Sequence, residues 1–550
     1  LEIKSVIMKR VLYISILALL VGVGCKQEAA EVIQAEAQYA SVALSSTSVV
    51  LDSKEQSKVI FVASNREEWQ TKCSADWVDI SIEGNTLTLF VDSNSEATSR
   101  LAVVDVTAGI APDVATCRLK VLQNSENTHN LSSEGTANCY IASTDGSYTF
   151  NASIKGNGAS DGYTNYILNN GLRIKDGAYA LLAWESTFDG DKTRSCDVIK
   201  GEPIFDSTKG EICFTTGKSE GNALIAICNG KDEILWSWHI WVTNAKIGTS
   251  YGKKLYWMDR NLGALTAEIG DVANRGMLYQ WGRKEPFLPS AVEYIDMPTH
   301  KYDEDYNLLE SQEEYDAIES ERVRIRQIVN IQNTQRGDGA LEWQYVGAVA
   351  PVALTAPGNI EYAVQHPTTV LSCRSDIPIG EYVFDWYLQQ DLAGANGMMQ
   401  QSQSFLWGNA EAGTDYKSIF DPCPVGYAVP PCGAFGTLDR NYACSYVSDE
   451  WETASCGWRW RGGNGDYFPS SGNLDVSGLI GETGEKMLYW TAETFGTSEN
   501  SFGKSATLFV AFNDVYYGIY PILDPAEAGA WYSYGARCYA ASVRCVKESK

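Results

Sequence analysis

Short runs of alternating apolar and polar residues recur between residues 41 and 124. The clearest are 59–62, 87–91, 101–106 and 119–122, with polar turn clusters such as Glu83-Gly84-Asn85 and Asp92-Ser93-Asn94-Ser95 between them. Successive side chains of a strand point to opposite faces, so this period, rich in β-branched residues, predicts strands. Strands at this spacing with no helical period predict a β-sandwich over residues 41–125. A second all-β region is predicted over 128–245, from runs at 138–141, 147–150, 211–214, 223–227 and 234–242. In the last run both faces carry aromatics. Trp236 and Trp238 fall on one side and Trp241 on the other, together with His239, which predicts a central strand covered on both sides. His239 is accordingly read as a hydrogen-bonded core residue.

From residue 246 to 550 the pattern becomes mixed, and an α+β region rich in loops is expected. Within it Ser311 and Glu314 form a capping box. Tyr315, Ile318, Ile325 and Val329 follow at helical spacing, and acids early (Glu313, Glu314, Asp316) with bases late (Arg322, Arg324, Arg326) complement the helix dipole. The fold class expected for the whole chain is therefore multidomain: two all-β immunoglobulin-like sandwiches, then a loop-rich α+β domain.

The first segment has a different character. Lys9 and Arg10 precede a run that stays apolar from Val11 to Val23, which reads as a secretory signal over 1–24; a spanning helix needs about 20 apolar residues. The run ends Val23-Gly24-Cys25, which resembles a bacterial lipobox, although Gly22 stands where that pattern has Leu. The resemblance implies lipidation at Cys25 and an outer-membrane lipoprotein exposed at the cell surface; a plain signal peptide with an incidental Cys is the alternative. Residues 25–40 are polar and rich in Ala and Glu, a composition that suits a flexible tether.

The order Ala75-Asp76-Trp77-Val78, Gly84 with Leu87–Val91, Arg100 to Val106, and Leu119 to Asn124 resembles the BACON module. That module is Bacteroidetes-associated and often N-terminal, and the resemblance implies an immunoglobulin-like sandwich with a carbohydrate-binding association. Trp77 falls where the family has a mostly buried Trp, which leaves Trp69 as that domain's more exposed candidate. Farther on come Tyr256-Trp257-Met258-Asp259-Arg260-Asn261-Leu262-Gly263, Tyr279-Gln280-Trp281-Gly282-Arg283-Lys284, Asp421-Pro422-Cys423-Pro424-Val425-Gly426-Tyr427, and Arg544-Cys545-Val546. This ordered set resembles the major-paralogous-domain family first noted in Fibrobacter, and its closing strand is similar to that of C-type-lectin-like folds.

Composition narrows the function. There are 43 Lys and Arg against 69 Asp and Glu, a formal charge of -26, which disfavours nucleic acid as a partner. The 14 Cys include no C-x-x-C pair and the four His are far apart, so neither zinc ribbons nor helical His–metal motifs are supported, and no metal or cofactor is expected. Cys213 and Cys228 flank a predicted hairpin, a placement open to a cross-strand disulfide, and Cys423, Cys432, Cys444 and Cys456 cluster as staples would. No P-loop occurs, and no catalytic residue is assigned. The calcium lectin motifs fail too, since Glu285-Pro286 runs into Phe287 and Trp407 into Gly408.

Aromatic surface remains. Ten of the 16 Trp lie beyond residue 246, and Trp451, Trp458, Trp460 and Tyr467 crowd together with Arg459 and Asp466. Trp458 and Trp460 share one face of a strand, so they make either a sugar-stacking platform or a core. The expected function is a non-enzymatic cell-envelope lipoprotein. It would bind mucin- or polysaccharide-type glycans through the C-terminal domain, the BACON-like domain or both, with its membrane contact through the lipid. The alternative is a fimbria-associated or adhesive structural protein with protein partners. A glycan-processing enzyme stands behind both.

Overall fold

A computed structural model of the 550-residue chain describes residues 39–158, 170–187, 197–252, 255–289, 328–330, 341–343, 348–349, 356–371, 386, 406–408, 417–431, 434, 451–452, 457–459, 466–474, 480–483, 486–494, 505–512 and 529–548. Among the described residues it is mostly β-sheet, with about 50% in strands and about 3% in helix, arranged as several small sheets. The chain divides into two compact units, one of residues up to 94 with 100–123, the other of 95–99 and 124–550.

The first unit is built from β1 (Val42–Leu44), β2 (Ser48–Leu51), β3 (Gln56–Ser64), β4 (Trp69–Cys73), β5 (Val78–Glu83), β6 (Thr86–Val91), β7 (Arg100–Ile110) and β8 (Asp113–Gln123). They form two four-stranded sheets, ordered β1-β3-β6-β5 and β2-β8-β7-β4. Alternation decides what lies inside: Ile60, Val62, Leu87, Leu89, Val91, Ala102, Val104, Val106, Leu119 and Val121 turn inward from both sheets into one core. All four strand runs read from the sequence fall within β3, β6, β7 and β8. Tyr39 and Ala40, the last two residues of the expected tether, are held against the first unit, and residues 25–38 lie outside the described residues. Asn65 Nδ2 donates to Tyr39 O (2.6 Å) and Ala40 N–H to Asp113 Oδ1 (2.7 Å). The signal segment 1–24 and Cys25 lie outside the described residues.

The second unit opens with β9 (His129–Asn130), β10 (Cys139–Ala142), β11 (Ser147–Asn151), β12 (Gly177–Ser186), β13 (Ile204–Asp206), β14 (Glu211–Thr215), β15 (Gly221–Asn229) and β16 (Ile234–Val242). One sheet runs β13-β14-β11-β9. Another begins β10-β16-β15-β12 and continues with Ile328–Asn330 and Leu341–Trp343. β16 is central as its two aromatic faces require, with Trp236, Trp238 and Trp241 fully buried. Cys213 and Cys228 are both free thiols, placed by β14 and β15 in different sheets; their two strands do not form the expected hairpin. Cys423 instead bonds Cys545, with Cα atoms 6.1 Å apart. Cys432, Cys444 and Cys456 lie outside the described residues.

Beyond residue 246 the described elements are short strands, a 3-10 turn at Val272–Asn274 and one helix, α1 (Ala356–Gln365). The helix expected from Ser311 lies outside the described residues up to 327. Its last member, Val329, is in the strand Ile328–Asn330, which pairs with Leu341–Trp343 and, through Glu185, with β12. One hydrophobic cluster holds residues from Cys139 to Cys545, so β10–β16 and the chain beyond 246 share a core. Asn138 Nδ2 ties them by donating to Ile419 O (2.6 Å) and Asp421 O (2.8 Å), while its Oδ1 accepts from Trp236 Nε1 (3.0 Å).

At the centre lies Leu278 to Phe287, closed by reciprocal backbone hydrogen bonds between its ends (2.8 and 2.7 Å). Trp490 Nε1 donates to Tyr279 O (2.8 Å), Trp386 Nε1 to Trp281 O (2.7 Å) and Trp407 Nε1 to Arg283 O (3.0 Å). Gln280 Nε2 donates to Leu371 O (2.9 Å) and Cys538 O (2.6 Å), and its Oε1 accepts from Leu371 N–H (3.0 Å). Gly282 takes φ +84°, and a Cβ there would stand 2.5 Å from Leu406 Cδ1. Replacing Trp407 by Phe leaves the Arg283 carbonyl buried without that donor. The expected cost is about 1–3 kcal/mol, read from denaturant unfolding.

His239 lies in the same core. Asn222 Nδ2 donates to Gly263 O (2.9 Å), which turns Asn222 Oδ1 toward His239 Nε2 (2.8 Å), so that nitrogen carries the proton. His239 Nδ1 then accepts from the Tyr279 hydroxyl (3.0 Å). Burial pushes the imidazole down to about 3. An unfolded chain takes up this proton as pH falls through about 6.5, while the folded chain refuses it until about 3. Between those values folding loses stability with falling pH, by up to about 1.4 kcal/mol per pH unit from this residue. Urea unfolding of wild type and His239→Gln across pH 4–7 should show a shallower slope in the variant.

Candidate functional site

The aromatic cluster divides once its strands are in place. Trp451–Glu452, Gly457–Arg459 and Tyr467–Pro469 form a three-stranded sheet in which Trp458 is opposite Trp451 on one side and Phe468 on the other. Trp458 and Tyr467 are each only 7% exposed. Tyr467 covers Gly457, where a Cβ would lie 2.2 Å from its hydroxyl. Phe468 contacts Trp458 (6.2 Å between centroids), Trp257 (6.0 Å) and Tyr489 (5.3 Å), with the Arg544 guanidinium 4.1 Å from its ring centroid. Trp458 and Tyr467 therefore belong to the core, and they do not form an open platform. Period two places side chains on faces but does not say which face meets solvent. Arg459 and Asp466 are half-buried, and the Ser250 hydroxyl donates to the Asp466 carboxylate. Trp460 and the side chain of Trp451 lie outside the described residues. In the first unit Trp69 is half-buried and packs on the sandwich core, as does Trp77, which carries the Arg100 guanidinium 4.3 Å from its ring centroid.

Most residues of the C-terminal motifs are buried, Tyr256 and Gly426 being exposed. Asn261 Nδ2 donates to Arg275 O (2.9 Å), and the Tyr489 hydroxyl donates to Pro469 O (3.0 Å). Lys417 Nζ pairs with Asp421 Oδ1 (2.9 Å) and donates to Cys423 O (2.7 Å), while Asp421 Oδ2 accepts from Val429 N–H (2.9 Å). Burial holds the Asp421 carboxyl above its ordinary range despite Lys417. These residues fix the chain's path.

A pocket of about 170 Å³ opens elsewhere in the second unit, lined by Lys155, Asn170, Arg173, Ile174, Lys175, Ile234, Leu235, Glu361, Val364 and Gln365. Four segments meet there. Lys155 begins a turn closed by Gly158 N–H donating to Lys155 O (3.0 Å), and it is joined to the 172–174 segment through Lys155 N–H to Leu172 O (2.9 Å). Gly156 takes φ +50°, where a Cβ would stand 2.2 Å from Ile419 O. Asn157 Nδ2 fastens the turn to Lys417 O (2.6 Å). Ile234 and Leu235 start β16, and Glu361, Val364 and Gln365 share one face of α1.

Lys155 is 5% exposed, whereas Arg173 and Lys175 are exposed. The Lys155 ammonium lies 5.8 Å from the Trp236 ring centroid, and Lys284, from the central loop, lies 4.4 Å from it. Lys284 is committed inward. Its Nζ donates to Ser237 O (3.0 Å) and Ser237 Oγ (2.7 Å) and stands 2.7 Å from Glu285 Oε1 as an ion pair. Burial pushes Lys155 down to about 8, with Glu361 opposing that fall and Lys284 adding to it. The described lining thus sets an apolar wall against two amides, three cations and one carboxylate. Sequence gave one signal for it: Arg173-Ile174-Lys175 alternates, with both bases on one face.

No family model matches the chain, and no curated protein matches it. Among solved structures, a protein from Bacteroides thetaiotaomicron is similar at 16% identity, covering 16% of this chain and 84% of its own, with a TM-score of 0.13. A chimeric titin Z1Z2 is similar at 17% identity over 16% of this chain and 95% of its own, TM-score 0.13. An endo-fucoidan hydrolase of glycoside hydrolase family 107 is similar at 9% identity over 36% of this chain and 28% of its own, TM-score 0.13. Scores this low carry no argument about fold or function.

With Trp458 in the core, Trp458→Ala is expected to cost about 3–5 kcal/mol of stability. Thermal unfolding should show a lowered transition, whereas an exposed ring would leave it in place.

Proposed function

We propose that this chain is a non-enzymatic, glycan-binding lipoprotein of a bacterial cell envelope, held at the outer-membrane surface through Cys25. The observation that carries the binding role is the pocket at Lys155, Arg173 and α1. A pyranose presents an apolar C–H face beside a rim of hydroxyls. Ile174, Leu235 and Val364 suit the first, and Asn170 and Gln365 suit the second. Trp458, Arg459, Asp466 and Tyr467 are not among the described lining of this pocket. In this reading the first unit is an immunoglobulin-like, BACON-type spacer, and the region beyond 246 is a major-paralogous-type domain whose motif residues build the core behind the pocket. The apolar run ending at Cys25 supports the anchor and compartment.

A second reading, an adhesive or fimbria-associated protein with protein partners, draws on the outer face of β3 and β6. There Val59, Phe61 and Phe90 are exposed in register with Thr88, Thr86 and Ser57.

Purified full chain on a glycan array covering host, plant and microbial polysaccharides tests the first reading. Retention on at least one glycan class is expected. Absence of retention on every class overturns glycan binding.

A further inference from the structure

The pocket carries more charge than a neutral sugar needs. The chain as a whole is strongly acidic, yet among the described lining residues Lys155, Arg173 and Lys175 are basic against one acid, Glu361. The three are placed by structure as well as by composition. Arg173 and Lys175 alternate along a segment paired with Ser153 and Lys155, through Ile174 N–H to Ser153 O (2.9 Å) and a bridge between Ile154 and Arg173. Lys155 is held at the inner end by a turn that only a residue without a Cβ can make at position 156.

Building on the glycan-binding reading, we infer that this pocket selects acidic sugars, with Lys155 at its inner end and Arg173 and Lys175 at its exposed rim drawing carboxylate- or sulfate-bearing residues. The apolar wall of Ile174, Leu235 and Val364 receives the ring face. Arg173 offers a planar fork of donors that fits either oxyanion, and the two ammonium groups add compact charge. Attraction at the exposed rim weakens with salt, because charges near water are screened over about 8–10 Å. Lys155 adds a pH dependence. The charged groups acting on it are Glu361 from α1 and Lys284 beside Trp236, while Arg173 and Lys175 line the same pocket at exposed positions. Above about pH 8 the free pocket loses the Lys155 charge, and anion affinity falls with it.

Isothermal titration of the full chain distinguishes the possibilities, using three oligosaccharides of equal length. Hyaluronan carries carboxylate alone, carrageenan sulfate alone, and agarose neither. At least one acidic probe is expected to bind ten-fold or more tightly than agarose, and the better of the two names the oxyanion. Arg173→Glu with Lys175→Glu, at exposed positions where folding is spared, should cost that probe ten-fold or more. Lys155→Arg should flatten the decline in affinity between pH 7 and 9.5. If agarose binds as tightly as both acidic probes, the charge selectivity is wrong and the glycan reading stands. If none of the three probes binds, the acidic-sugar assignment fails, and the array decides the glycan reading separately. If acidic binding is unchanged in the Arg173/Lys175 double variant, the pocket is not the site.

Discussion

A backbone carbonyl buried away from water must accept a hydrogen bond or forfeit about 1–3 kcal/mol, and the second unit is arranged around that demand. The loop from Leu278 to Phe287 runs through the deepest part of the core. The carbonyls of Tyr279, Trp281 and Arg283, at alternate positions, are met by the indole N–H groups of Trp490, Trp386 and Trp407. An indole suits this duty because it buries a large apolar area and still carries one donor at its edge. Gln280 does the same for Leu371 and Cys538, behaving as a detached piece of sheet backbone.

The aromatic surplus beyond residue 246 follows in part from that demand. Trp281, Trp386, Trp407 and Trp490 are structural donors and filling, and Trp257 and Trp458 pack around Phe468. Large rings in such numbers suggest a sugar platform from composition alone. The described rings instead pay the hydrogen-bonding debt of an irregular interior. The same loop then sends Arg283, Lys284 and Glu285 into the core as an ion-paired group. There Arg283 Nε meets Glu285 Oε2 at 3.1 Å, and Arg283 Nη1 reaches Gln280 Oε1 (2.8 Å) and Thr369 O (2.7 Å). Burial pushes the Glu285 carboxyl up, but Lys284 and Arg283 outweigh it and hold it below the ordinary range.

Where the code was local, it could be read. The period-two runs at 59–62, 87–91, 101–106 and 119–122 became β3, β6, β7 and β8, and 234–242 became β16 residue for residue, because alternation and β-branching are short-range properties. His239 was recognisable as a core residue because its strand carries bulky groups on both faces. Pairing was not local. Cys213 and Cys228 are fifteen residues apart in sequence but lie in different sheets, and the partner of Cys423 is Cys545, 122 residues away. Val329 fits a helical period and nevertheless belongs to a strand paired with Leu341–Trp343. The pocket was least legible of all, since its lining comes from positions 155, 170–175, 234–235 and 361–365. No window of sequence contains more than one wall.

The central loop and the pocket meet at Trp236. Lys284 and Lys155 both lie within cation–π range of its ring, a setting that softens the loss of water around an ammonium group. Lys284 is surrounded by Ser237 and Glu285, so its charge is answered within the core. Lys155 has Lys284 working against its charge and Glu361 across the pocket working for it. An anion entering beside Lys155 would act in the same direction as Glu361. Lys284 thus raises the value of an incoming negative group without touching it. The loop that the tryptophans hold in place thereby sets the electrostatics of a pocket built from other segments.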